Sequence, residues 1–81
     1  MPRILEYHIM YFDNDLEVLL PNEWRVAKKI AEESRKGIHP EVDMVSIAEF
    51  IYSVDRDDDS EWYLEKINYT DLYVSDKGEN A

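Results

Sequence analysis

The stretch between Pro21-Asn22 and Gly37 constrains this chain most. Ala27, Ile30, Ala31 and Ser34 fall at i, i+3, i+4 and i+7, with Trp24 one turn earlier, and that spacing lines one narrow stripe along a single face of a helix. Asn22 has the side chain of an N-cap and Gly37 suits the left-handed residue beyond a C-terminus. A helix from about Glu23 to Lys36 is expected. Lys28, Lys29, Glu32, Arg35 and Lys36 lie largely outside the stripe, and the last two stand where the helix dipole favours cations. So narrow a stripe packs on a sheet.

The flanking segments supply strands. From Ile4 to Phe12, Leu5, Tyr7, Ile9 and Tyr11 alternate with Glu6, His8 and Met10, a period of two that argues for a half-buried strand. Asp13-Asn14-Asp15 is turn chemistry, because short Asp and Asn side chains bond to the local backbone, and Leu16 to Leu20 resumes the apolar run to complete a hairpin. Val42 to Asp55 reads two ways. Met44, Ile47, Ala48 and Ile51 can share a helical face, yet the content of Val, Ile, Phe and Tyr, with alternation from Met44 to Val54, favours a long strand. After the acidic turn Arg56-Asp57-Asp58-Asp59-Ser60, a further strand is expected from Glu61 to about Tyr69, with Leu72 to Val74 as a short extension. The order β-β-α-β-β defines an α+β domain with one helix packed on one face of a small antiparallel sheet. It spans residues 1–74, and 75–81 reads as a flexible acidic tail.

One helix covers one sheet face. If Ala48 and Phe50 face the helix, the other face carries Val45, Ile47, Glu49, Ile51, Glu6, His8, Met10, Tyr63 and Glu65, too apolar a mixture for an ordinary wet surface. A partner-binding or self-associating sheet, such as a homodimer, follows as an expectation, and association would help stabilise so small a core.

With 81 residues, 44% hydrophobic and 12% aromatic, the chain has room for one modest core and too many core-forming side chains for a disordered acidic segment. It has no cysteine, which excludes disulfides, thiolate zinc sites and a cysteine nucleophile and suits a reducing, cytoplasmic setting. The N-terminus lacks the basic and pure apolar regions of a signal peptide, and no apolar run approaches the roughly 20 residues of a membrane-spanning helix.

Nineteen acidic and nine basic residues give a formal charge of −10, which repels nucleic-acid phosphates and anionic lipid and attracts basic surfaces. The charge is uneven. Residues 1–22 carry −3, residues 23–36 carry +2 and residues 37–81 carry −9, so the excess lies in the second hairpin and the tail. Alternate strand residues share a face at about 7 Å spacing. Glu49, Glu61 and Glu65, with Asp57, Asp58 and Asp59 at the turn, are therefore candidates for an array of carboxylates at phosphate-like spacing, with Tyr63 adding apolar contact. In size and charge, though in no motif, the chain is similar to the DNA-mimicking inhibitors that bacteriophages make against host DNA-binding proteins. That resemblance implies a stoichiometric inhibitor occupying the basic groove of a nucleic-acid-binding protein. The alternative is a structural or regulatory subunit that binds a protein through the apolar sheet face, its acidity serving solubility.

Catalytic and metal chemistry finds little footing. Asp55 to Glu61 sets carboxylates at EF-hand positions 1, 3 and 5, but Ser60 stands where the loop needs Gly and Lys66 where it needs a bidentate Glu. His8 and His39 fit no ligand spacing and read as structural. Gly37 and Gly78 are the two glycines, so no Gly-rich phosphate loop exists, and a one-helix domain can hardly enclose a sugar-sized cleft. The expectation is a protein that is not an enzyme, with no cofactor and no metal. Of the tyrosines, Tyr7 and Tyr11, with Trp24, suit the core, and Tyr63, Tyr69 and Tyr73 suit contact with a partner.

Overall fold

In the computed structural model, which describes residues 2–54 and 61–76, the helical stripe does what its spacing predicts. Helix α1 (Trp24–Arg35) buries Ala27, Ala31 and Ser34. Small side chains there let the helix lie close against the sheet, and Ile30 fills its flank. The helix ends on Lys36, and Gly37 adopts φ +78°, a left-handed conformation that glycine takes without Cβ strain. The N-terminus differs from expectation. Pro21–Glu23 forms a 3-10 turn before the α-helix, which makes the order β1, β2, 3-10 turn, α1, β3, β4. Asn22 lies inside that turn and caps nothing; the Glu23 carboxylate instead accepts the Leu20 N–H at 3.3 Å.

The strands are β1 (Arg3–Tyr11), β2 (Leu16–Leu19), β3 (Val42–Val54) and β4 (Trp62–Val74), in one antiparallel sheet of order β2-β1-β3-β4. The ambiguous segment is thus a strand, and a central one. The β1–β2 turn uses the chemistry read from Asp13-Asn14-Asp15: Asn14 takes φ 72° and the Asp15 N–H donates to Asp13 Oδ1 at 3.0 Å. Strand β4 is continuous to Val74, because a register shift between Val45 and Ser46 absorbs Leu72 as a bulge and lets pairing resume at Tyr73. Ser75, assigned by sequence to the tail, is buried, and its N–H donates to the Asp43 carbonyl at 2.8 Å.

The core lies between α1 and one sheet face: Ile9, Leu19, Ala27, Ala31, Val42 and Val45 are buried together, with Tyr7, Tyr11, Ile30, Leu72 and Tyr73 packed against them. The expected assignment of faces is inverted on β3. Ile9 pairs with Val45 and His8 with Ser46, so Val45, Ile47, Glu49 and Ile51 share the helix side with Tyr7 and Ile9. Ala48 and Phe50 lie on the opposite side with Glu6, His8 and Met10. Directly opposed residues in an antiparallel pair project to the same face, and the register therefore decides what the alternation of β3 alone could not.

Candidate interaction surface

Helix α1 has 12 residues, while β3 and β4 have 13 each. At about 1.5 Å per helical residue against about 3.3 Å per strand residue, the helix is less than half as long as the β3–β4 hairpin. That hairpin gives the molecule its length, with extents of 51 × 28 × 17 Å. It runs past β1, whose first paired residue, Arg3, meets Ile51; Pro2 accepts the Tyr52 N–H at 3.1 Å beyond it. On the helix side of the sheet, approaching and entering this extension, Arg3 and Glu49 pair at 3.6 Å, Asn68 donates to Glu49 at 3.4 Å, and Ser53 donates to Glu65 at 2.8 Å.

The described members of the proposed acidic array, Glu49, Glu61 and Glu65, have different surroundings. Glu49 is partly buried and balanced by Arg3. Glu65 is exposed on a bulge of β4, between the Ile51/Lys66 and Tyr52/Leu64 pairs, with Lys66 next to it. Tyr63, exposed, pairs with Ser53 on that side, and Glu61, also exposed, precedes the strand. Asp57, Asp58 and Asp59, with the EF-hand-like run around them, lie outside the described residues. Among the described residues, no three carboxylates or histidines gather as a metal site would require, and no helix is long and apolar enough to cross a membrane.

A continuous feature is the sheet face that no described helix covers. Register and alternation put Ile4 and Met10 of β1, Leu16 and Val18 of β2, Met44, Phe50 and Tyr52 of β3, and Trp62, Leu64, Ile67 and Tyr69 of β4 on it. Trp62 is 55% exposed, Leu64 45% and Tyr69 60%. Its described strand residues include no lysine or arginine and two carboxylates, Glu6 and Asp71, each already hydrogen-bonded: Glu6 to His8 at 2.9 Å and Asp71 to the Ser46 hydroxyl at 3.1 Å. His8 packs its ring against Phe50 and Tyr69 at centroid distances of 6.4 and 6.1 Å. Toward the β2 end the face sinks into a basin of about 460 Å³ floored by Met10, Leu16 and Met44 and walled by His8, Ser46, Tyr69 and Asp71.

Sequence reasoning named Glu6, His8, Met10 and Tyr69 from this surface and missed Trp62, Leu64 and Ile67. The signal for Trp62 and Leu64 was present in their alternation with Tyr63. The bulge at Glu65 then shifts the phase, so that Ile67 and Tyr69, odd-numbered, join even-numbered neighbours. Tyr73 packs on the core, and Trp24 lies at the surface under Arg25 and Lys28, whose cations sit 5.1 and 5.2 Å from its ring centroid.

His39 lies between two carboxylates, 3.2 Å from Glu33 and 3.5 Å from Glu41, and ties the end of the helix to the start of β3. The Tyr11 phenol donates to Glu17 at 2.9 Å, and burial, that bond and the nearby carboxylates Glu17, Glu41 and Asp13 raise its pKa. No protein family, curated protein or solved structure matches the chain.

Proposed function

We propose that this chain is a non-enzymatic interaction domain whose helix-free sheet face seats a protein partner. The observation that carries this reading is the extent of that face, from Leu16 and Val18 at one edge to Trp62 and Leu64 at the other, with its two carboxylates already satisfied and no described cation. An apolar surface of that size with so few charged groups is disfavoured in water and is a signature of an interface. Acidic side chains elsewhere keep the molecule soluble.

A second reading, the DNA-mimicking inhibitor of a basic nucleic-acid-binding protein, draws on the −9 carried by residues 37–81. The pairing of Glu49 with Arg3 and the position of Lys66 beside Glu65 count against a clean carboxylate array in the described hairpin. The two readings separate in a capture experiment with three baits: wild type, Leu64→Glu, and the double variant Glu61→Gln/Glu65→Gln. A partner retained by wild type at high salt, indifferent to added duplex DNA and lost with Leu64→Glu, is the expected result. A partner displaced by DNA and by salt, and lost with the glutamine variant, would replace this reading with mimicry.

A further inference from the structure

The helix-free face has an end of exposed apolar side chains and a hollow end. Trp62 and Leu64, both exposed, stand where the hairpin projects past β1, and the basin over Met10, Leu16 and Met44 lies at the other end. Along β3 the two ends, at the register of Val54 and of Met44, are separated by about 33 Å at the usual strand rise. Near the middle stands Ala48, completely buried between Glu6 and Tyr69 in the register, with Tyr69 exposed beside it.

A face with exposed apolar side chains at one end and a hollow at the other can match itself under a two-fold rotation that brings each end against the opposite one. We propose that the occupant of this face is a second copy of the chain, stacked face to face about a two-fold axis through the neighbourhood of Ala48. Trp62 and Leu64 of each copy then enter the basin of the other. This rests on the reading of the sheet face as an interface and names its partner.

Area favours a second copy. At about 3.3 Å per residue and about 4.8 Å between strands, the four strands present roughly 600 Å² per face. Two such faces bury on the order of 1,200 Å², where specific association begins. Each copy carries −10, which would oppose contact if the acids lay on the shared surface. Several of the described acids lie elsewhere: Asp13, Asp15 and Glu41 in turns and loops, Glu32 and Glu33 on the helix, Glu49 on the helix side. Of the face itself, Glu6 and Asp71 sit near the basin with His8 and Ser46 as partners, so the approaching aromatic end meets satisfied groups.

The test combines mass and geometry. Sedimentation equilibrium at about 0.1 mM protein, suited to a micromolar dissociation constant, should give twice the 9.7 kDa chain mass. Leu64→Glu should weaken association at least about tenfold, and Val26→Glu, on the exposed side of α1, should leave it unchanged. Because the chain lacks cysteine, Leu16→Cys mixed with Trp62→Cys should form a mixed disulfide dimer faster than either variant forms its own. A wild-type monomer at that concentration overturns the second copy as occupant, and leaves the interface reading to be judged by capture with the Leu64→Glu bait. A dimer that Leu64→Glu does not weaken overturns the second copy as occupant of this face, since association then uses another surface, and the interface reading is again judged by capture. A dimer in which each cysteine variant links faster to itself overturns the antiparallel stacking.

Discussion

Ile9 and Val45 stand directly opposite each other across β1 and β3, and neither has any exposed surface. That single pair sets which face of the sheet the helix covers. A one-residue slip would turn every side chain of β3 over, bringing Ser46 and Ala48 under the helix in place of Val45 and Ile47. Removing a methylene from the pair should therefore be felt by the whole domain. Ile9→Val should lower stability by about 1 kcal/mol and Ile9→Ala by about 2–5 kcal/mol, read as a fall in the urea midpoint with an unchanged slope. A change within error for Ile9→Ala would contradict this placement of the core.

Gly37 holds φ +78°, and a Cβ built there meets nothing within 4 Å. The cost of Gly37→Ala is therefore conformational and should be about 1 kcal/mol, with Gly37→Asn milder, because Asn tolerates the left-handed region better. Thermal unfolding of the two variants checks both the size and the order.

Ser34 is buried in the helix stripe, and its hydroxyl has no hydrogen-bond partner among the described residues. Ser34→Ala removes an unsatisfied polar atom and substitutes a better helix former, so stability should rise by about 1 kcal/mol. A loss of stability would mean that the hydroxyl has a partner in solution.

The Tyr11 phenol has its pKa raised above the ordinary 10.0, first by burial and then by its bond to Glu17 and the surrounding carboxylates. A raised folded-state value means that the neutral phenol is the form the fold favours. Its contribution is whole below the unfolded pKa and is lost as pH climbs through the folded value. Wild type should thus lose stability relative to Tyr11→Phe above about pH 10, while near neutrality the Phe variant should be weaker by no more than about 1 kcal/mol. Denaturation curves at neutral and alkaline pH measure both. A gap between the two proteins that does not narrow with pH would count against the Tyr11–Glu17 bond.

The parts of the fold legible in the sequence were those with one apolar side. The stripe Ala27, Ile30, Ala31, Ser34 and the alternation of Tyr7, Ile9 and Tyr11 each point one way, and the structure agrees with them. Strand β3 carries Met44, Val45, Ile47, Ala48, Phe50 and Ile51, apolar on both faces. Its alternation could not say which set meets the helix, and long-range pairing with β1 decides it. The bulges at Leu72 and Glu65 are invisible to a period-two reading, because each inserts a residue and reverses the phase of the strand beyond it. That is why Ile67 was missed, and why Glu49 and Glu65 read as members of a carboxylate array although one is held by Arg3 and Asn68 and the other by Ser53.

The central claim is that the chain works through an apolar sheet face and not through its acidity, and the ionic-strength dependence of self-association tests it most directly. Two copies with −10 each repel at long range, and salt screens that repulsion without weakening an apolar contact. Sedimentation equilibrium of the wild type at low and high sodium chloride should show a dimer that is unchanged or tighter at high salt. Association that weakens steeply as salt rises would show that charge holds the copies together, and would contradict the account.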